Sequence, residues 1–188
     1  MSKQSRVSRL PPLPDPPTDP ILIELQHDTR SRGGEVINLH LTLGHAPKIA
    51  KARRALSGAL RREAATPRIL RELTILRTAQ IVRSDYELNQ HYPMALKSGL
   101  TQQQIDEVAT WRDSKLFDDK QRALLAYVEQ LLAGGDVDDA TFAAFAKHFT
   151  PQEIIEISVT ATNYYGTGLL TRAFRIEIET DGRQTAPA

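Results

Sequence analysis

The chain of 188 residues contains no cysteine. That absence removes disulfides, thiolate zinc sites, iron–sulfur clusters and every redox cycle that passes through a thiolate. An excess of one charge is missing too. The 24 Lys and Arg stand against 23 Asp and Glu, and a net charge of +1 gives no global pull on nucleic acid or anionic lipid. No stretch reaches the roughly 18 consecutive apolar residues of a membrane span, and no apolar run follows the basic residues of MSKQSRVSRLPPLPDPPTDP. A cytoplasmic protein is expected, with no membrane partner. What is present, 40% hydrophobic and 25% charged residues, suits one ordinary globular domain.

Six of the 11 prolines fall between Pro11 and Pro20. Each fixes φ, removes a donor and biases its predecessor toward extended geometry, so residues 1–20 read as a polyproline-like arm, loose or wrapped over a neighbouring subunit. Residues 179–188 read as a polar tail, and 21–178 as a single domain. Within that domain the apolar spacing is helical almost throughout, with Gly and Pro as punctuation. The expected helices run from Pro20 to Arg30, Gly34 to Leu43, Pro47 to Arg62, Pro67 to Val82, and Ser84 or Asp85 to Gly99. A short one follows the Thr101 and Gln104 capping box, and three more run from Asp118 to Gly134, from Asp138 or Asp139 to His148, and from Pro151 to Phe174. The fold class is therefore all-α, a bundle of eight or nine helices with short connections.

Polar groups on apolar faces carry the chemical signal. At about 100° per residue, Ile69, Ile75, Leu76 and Ala79 all fall within roughly 60° of Glu72, which places that carboxylate inside the apolar stripe of its helix. A carboxylate there must be paired, be hydrogen-bonded or take up a proton. In the next helix, Ser84, Glu87 and His91 follow at +3 and +4 spacing and share a stripe with Leu88 and Ala95. Pro93 removes the helical bond to Asn89 and is expected to kink or break this helix just past His91. A buried structural ion pair would explain each group alone; two Glu beside one His point to a functional site.

The segment RELTILRTAQIVRSDYELNQHYPMALKSGLTQQQID resembles the core of the carboxymuconolactone decarboxylase family, which includes alkyl hydroperoxidase D. In the peroxidase branch of that family a Glu lies 12 residues before the first of two cysteines three apart, and a His follows four after the second. Glu72, Ser84, Glu87 and His91 stand at those positions in this chain, with the same intervals and neither thiol. Tyr86 stands where that branch has a further His. The resemblance covers about Ala55 to Phe174, including FDDKQRALLAYVEQLL. It implies an alkyl-hydroperoxidase-D-like bundle that assembles as a homo-oligomer, a trimer or hexamer.

Peroxide reduction of that kind needs a thiolate and a resolving cysteine, and a serine hydroxyl cannot cycle through a sulfenic acid. The decarboxylase branch, whose cysteines are also replaced, is the better guide. It implies a cofactor-free lyase acting on a small carboxylated lactone or related acid. Loss of carbon dioxide leaves carbanion character that a Glu and His pair can protonate near neutral pH. His91 is expected as general acid, Glu87 or Glu72 as its orienter and proton partner, and Ser84 and Tyr86 as substrate-binding residues, with Ser84 a hydrogen-bond donor. The alternatives are a relative with a peroxidase-type fold and no thiol activity, or a non-catalytic oligomer in which the polar cluster fixes helix packing.

Two rival chemistries fare worse. The spacing of Glu87 and His91 is i to i+4, whereas bundle di-iron sites repeat Glu-x-x-His on two helices, so no metal is expected. ALKSGLTQQQIDEVATW has the Gly and Ile of a helix-turn-helix, yet its second helix offers Gln102, Gln103, Asp106 and Glu107 to a phosphate backbone. The basic stretch KIAKARRALSGALRR spreads its cations around a helix, to be solvated or to meet carboxylates of a partner subunit. No nucleic-acid partner is expected.

Overall fold

A computed structural model of the chain describes residues 7–179, and among these nine α-helices and no strand occur. The helices are α1 (Pro20–Ser31), α2 (Asn38–Leu43), α3 (Pro47–Arg62), α4 (Arg68–Val82), α5 (Asp85–Ser98), α6 (Gln102–Glu107), α7 (Asp119–Gly134), α8 (Asp139–Ala146) and α9 (Pro151–Phe174). A single 3₁₀ turn, Val108–Thr110, follows α6. The all-α expectation holds. The expected N-terminal signals also act as caps: side chains of Asp19, Ser84, Thr101, Asp118, Asp138 and Thr150 each accept a first-turn N–H.

α4 is the axis of the bundle, packed against α5, α7 and α9. Its sequence suits that place, because burial runs right round it, from Leu70, Leu73 and Leu76 to Ile75, Ala79 and Val82. Thr74 and Thr78 can be buried as well, since their hydroxyls donate to the carbonyls of Leu70 and Thr74 at 2.9 and 2.8 Å. On one side of α4 the core continues through Val108, Leu124, Val128, Phe145 and Ile157. Tyr127 stacks on Phe145 there, with ring centroids 4.0 Å apart. α5 and α9 also pack on α4, and the layer of α1 to α3 lies beyond that core.

Two expectations about the helices need correction. The second helix begins at Asn38 rather than Gly34. Gly33 adopts φ +71° as α1 closes, and Ile37 is extended at φ −100° and ψ 162°, so the segment between them is not helical. Pro93 does not break α5, which runs on to Ser98. One proline deletes one hydrogen bond. The Ser84 cap, the left-handed Gly99 after the last turn, and burial of Tyr92 and Ala95 on either side of it hold the helix together.

The described part of the proline-rich arm lies against its own chain. Arg9 donates its N–H to the Phe174 carbonyl at 2.8 Å, His45 Nε2 meets the Pro11 carbonyl at 2.9 Å, and Asp15 pairs with Arg30. The expected tail lies outside the described residues from 180 onward. Its first residue, Glu179, accepts from the N–H of Asn38 at 2.6 Å and from the Tyr86 hydroxyl at 2.8 Å. No described helix is long and apolar enough to cross a membrane.

Candidate active site

The connection from α4 to α5 is only Arg83, in the left-handed region at φ 55°, and Ser84. So short a turn folds α5 back along α4 and brings Glu72 opposite His91. His91 Nδ1 lies 2.8 Å from Glu72 Oε2. Arg68, one turn before Glu72, donates from Nε to Glu72 Oε1 at 2.6 Å. Burial opposes ionisation of Glu72, but the charges and hydrogen bonds of His91 and Arg68 outweigh it and hold its carboxyl below the ordinary value. An ionised Glu72 accepts the Nδ1 proton of His91 and leaves Nε2 to act on the other side of the ring.

On that other side is Glu87, whose Oε2 lies 3.8 Å from His91 Nε2. Its Oε1 is buried with no hydrogen-bond partner among the described residues. Burial pushes its carboxyl up, and His91 and Arg53 only partly counter that while Glu179 adds to it. The two glutamates thus differ: one is held ionised against the imidazole, the other is pushed toward its protonated form and has an oxygen with no partner among the described residues. Pairs of acids whose environments separate their pKa values are how acid and base roles are assigned in one site.

Glu87, His91 and Tyr86 line a cavity of about 440 Å³ enclosed by α1, α2, α3, α5 and α9. Glu72 lies behind the imidazole and does not line it. Tyr86 is buried, and its hydroxyl accepts from the N–H of Leu39 at 3.2 Å while donating to Glu179. Its pKa is raised by burial and by Glu179, so it stays a neutral phenol. Ser84 is not brought to the cavity. It is 0% exposed, and its hydroxyl is used to cap Glu87 N–H at 3.2 Å and to bond Thr171 at 2.9 Å. A substrate donor at Ser84 does not fit that placement, because the cap of α5 consumes it.

The cavity also holds groups that the sequence did not assign to the site. Arg53, Arg54, Arg61 and Arg62 of α3 line it, as do Arg32 and Arg68. Arg68 is neutralised by Glu72, and Asp28 serves Arg32 and Arg54 at 2.6 and 3.6 Å. Arg53, Arg61 and Arg62 have no carboxylate within 4 Å among the described residues. Arg53 and Arg54 are half-buried in the cavity wall, whereas Arg61 and Arg62 stay exposed at its edge, in keeping with the expected solvation. His40 of α2 is neutral beside them; burial and the charges of Arg54 and Arg61 hold it down at about 4. Tyr164 of α9 lines the cavity next to His91, with the two rings perpendicular at 4.9 Å between centroids. Its signal in the sequence was the buried stripe of Ile157, Ala161, Tyr164, Gly168 and Thr171, at +4, +3, +4 and +3.

Comparison with known proteins agrees with this layout. Residues 47–130 match the model of the carboxymuconolactone decarboxylase family, a span that contains Glu72, Glu87 and His91. Among solved structures, the alkylhydroperoxidase AhpD core of an uncharacterised peroxidase-related protein from Ralstonia eutropha is 21% identical, with a TM-score of 0.78 over 96% of this chain and 99% of that one. A protein of unknown function from Agrobacterium tumefaciens is 24% identical, with a TM-score of 0.68 over 74% of this chain and 96% of that one. A cysteine-to-alanine variant of the debrominase Bmp8 in complex with 2,3,4-tribromopyrrole is 17% identical, with a TM-score of 0.74 over 91% of each chain. These likenesses show a shared fold. No curated protein matches.

Proposed function

We propose, from the match of residues 47–130 to the carboxymuconolactone decarboxylase family, that this chain is a cofactor-free lyase for a small carboxylated lactone or related acid. The observation that carries this reading is the Glu72, His91 and Glu87 line ending at a cavity lined by three arginines, Arg53, Arg61 and Arg62, with no carboxylate partner among the described residues. A substrate carboxylate is the natural counter-ion for such arginines. In an unsaturated lactone, the bond to the carboxylate carbon breaks and carbon dioxide leaves without the electron pair. The pair runs through the ring into the lactone carbonyl as an enolate. One proton, delivered from Glu87 or from His91 Nε2, restores a neutral carbon, so a carboxylate and a proton become product and carbon dioxide. Glu72 and Arg68 hold the imidazole in place throughout.

A cavity of about 440 Å³ suits a small ring compound. The bromopyrrole bound by one structural neighbour is a molecule of that size class. Thiol peroxidase chemistry has no residue to run on, since the chain contains no cysteine.

The test is decarboxylation of carboxymuconolactone, followed by other small carboxylated lactones and β-keto acids, with wild type and His91→Gln. The variant keeps size and a hydrogen-bonding group, so turnover should fall by about 10²–10⁴ while the fold persists. Unchanged turnover would remove His91 from the mechanism. Collapse of the fold would favour a purely structural triad.

A further inference from the structure

The cavity wall carries a second set of groups that proton transfer does not use. Tyr164 is buried, and its hydroxyl takes part in no hydrogen bond with any described residue. The hydroxyl is not one of the fully buried atoms left without a partner; it opens to the cavity, where a ligand can reach it. The charged groups that act on it are Arg61 and Arg68 on one side and Glu72 and Glu87 on the other. Arg61 of α3 is committed to no carboxylate among the described residues, and its recorded contact is a sulfur, Met94 Sδ, at 3.9 Å. Both residues line the same cavity as His91 and Glu87.

We infer that the Tyr164 hydroxyl and the Arg61 guanidinium form an oxyanion-binding site that receives the developing enolate oxygen of the substrate. The inference rests on the lyase reading and adds to it a catalytic residue from α9 and another from α3. Burial keeps the phenol protonated, since it raises the Tyr164 pKa more than Arg61 lowers it, so the hydroxyl stays a donor at any working pH. His91 and Tyr164 are in perpendicular contact. A flat ring lying beside that pair can present one edge to the proton carrier and its carbonyl to the donors. Tyr164 is held by burial and by its ring contact with His91, so its donor stabilises the enolate with little reorganisation, while Arg61 adds charge from the cavity edge.

A phenolate imitates an enolate in charge and shape, so para-nitrophenol is the probe, titrated by its phenolate absorbance with the full chain. Wild type should bind the ionised form and lower the pH at which the bound probe ionises. Tyr164→Phe removes one oxygen and keeps the edge contact with His91; phenolate affinity should fall about tenfold to a hundredfold, as for the loss of one hydrogen bond to a charge. Arg61→Met should also weaken phenolate binding, which keeps the test open if the Phe variant folds poorly. Binding of the neutral phenol, no binding, or equal phenolate affinity in wild type and both variants would overturn the inference. With an active lyase, Tyr164→Phe should lower kcat and leave KM nearly unchanged, because the oxyanion exists only in the transition state. If no lactone is turned over yet the phenolate result holds, the lyase reading fails and the oxyanion site stands.

Discussion

At the scale of the residue, Glu72 and Glu87 meet one imidazole from opposite sides and are driven apart in pKa. Glu72 lies below the ordinary value of 4.5, so it adds stability that is complete above that value and fades as pH falls through its folded pKa. Glu87 lies above 4.5, and the sign reverses: relative to a protein without this burden, stability is complete below 4.5 and is lost as pH rises through its raised folded pKa. Glu87→Gln keeps the shape and removes the buried charge. Its melting temperature should therefore match wild type in acid and exceed it at neutral pH, while lyase turnover falls. A difference independent of pH would mean that folding does not raise the Glu87 pKa. Both acids were legible in the sequence because helical spacing alone sets them among apolar neighbours. Tyr164 and Arg61 were not, since what makes them notable is a missing partner, and that is a property of packing between α3, α5 and α9.

At the scale of the element, the site depends on how closely α9 approaches the turn between α4 and α5. Gly168 is where they meet: a Cβ there would overlap Val82 Cγ1 and lie 3.2 Å from Ser84 Cβ. Ser84 is the cap of α5, so pressure at this point is felt by the helix that carries Glu87 and His91. Gly168→Ala should cost about 1–3 kcal/mol by overpacking, read from chemical denaturation. Gly166→Ala, two residues away, meets nothing within 4 Å and should be neutral or stabilise by up to about 1 kcal/mol through helix propensity. Equal effects at both positions would refute the close approach. Helix boundaries were readable wherever a cap or a proline fixed them, as at Pro47, Ser84 and Thr150. The start of α2 was not, because the chain beyond Gly33 is held by remote partners, with Glu179 taking the Asn38 N–H. The extent of α5 was readable from its caps, and the break expected at Pro93 does not occur because tertiary packing outweighs one lost backbone bond.

At the scale of the molecule, the proline-rich arm decides how closed the cavity is. Leu13 and Pro17 form part of its wall, beside Leu22 and Gly44. The arm is held by bonds at the rim of the bundle, Arg9 to Phe174, His45 to Pro11 and a longer one of 3.4 Å from Leu13 N–H to the Leu41 carbonyl. None of these touches the core around Leu73, Leu124 and Val128. Removing residues 1–17 should therefore leave the main unfolding transition in place while para-nitrophenol binding weakens and its exchange quickens, since one wall of the cavity is gone. The same experiment bears on assembly. Ile155 and Leu169 stand 63% and 46% exposed on the outer side of α9, apolar surface of the kind that a second copy covers. Light scattering of the full chain should give at least twice 21.0 kDa. Because the arm bonds to its own bundle, the truncated chain should keep that multiple. A fall to the monomer mass on truncation would show instead that the arm crosses to a neighbour, and a monomeric full chain would leave the outer face of α9 without a role in assembly.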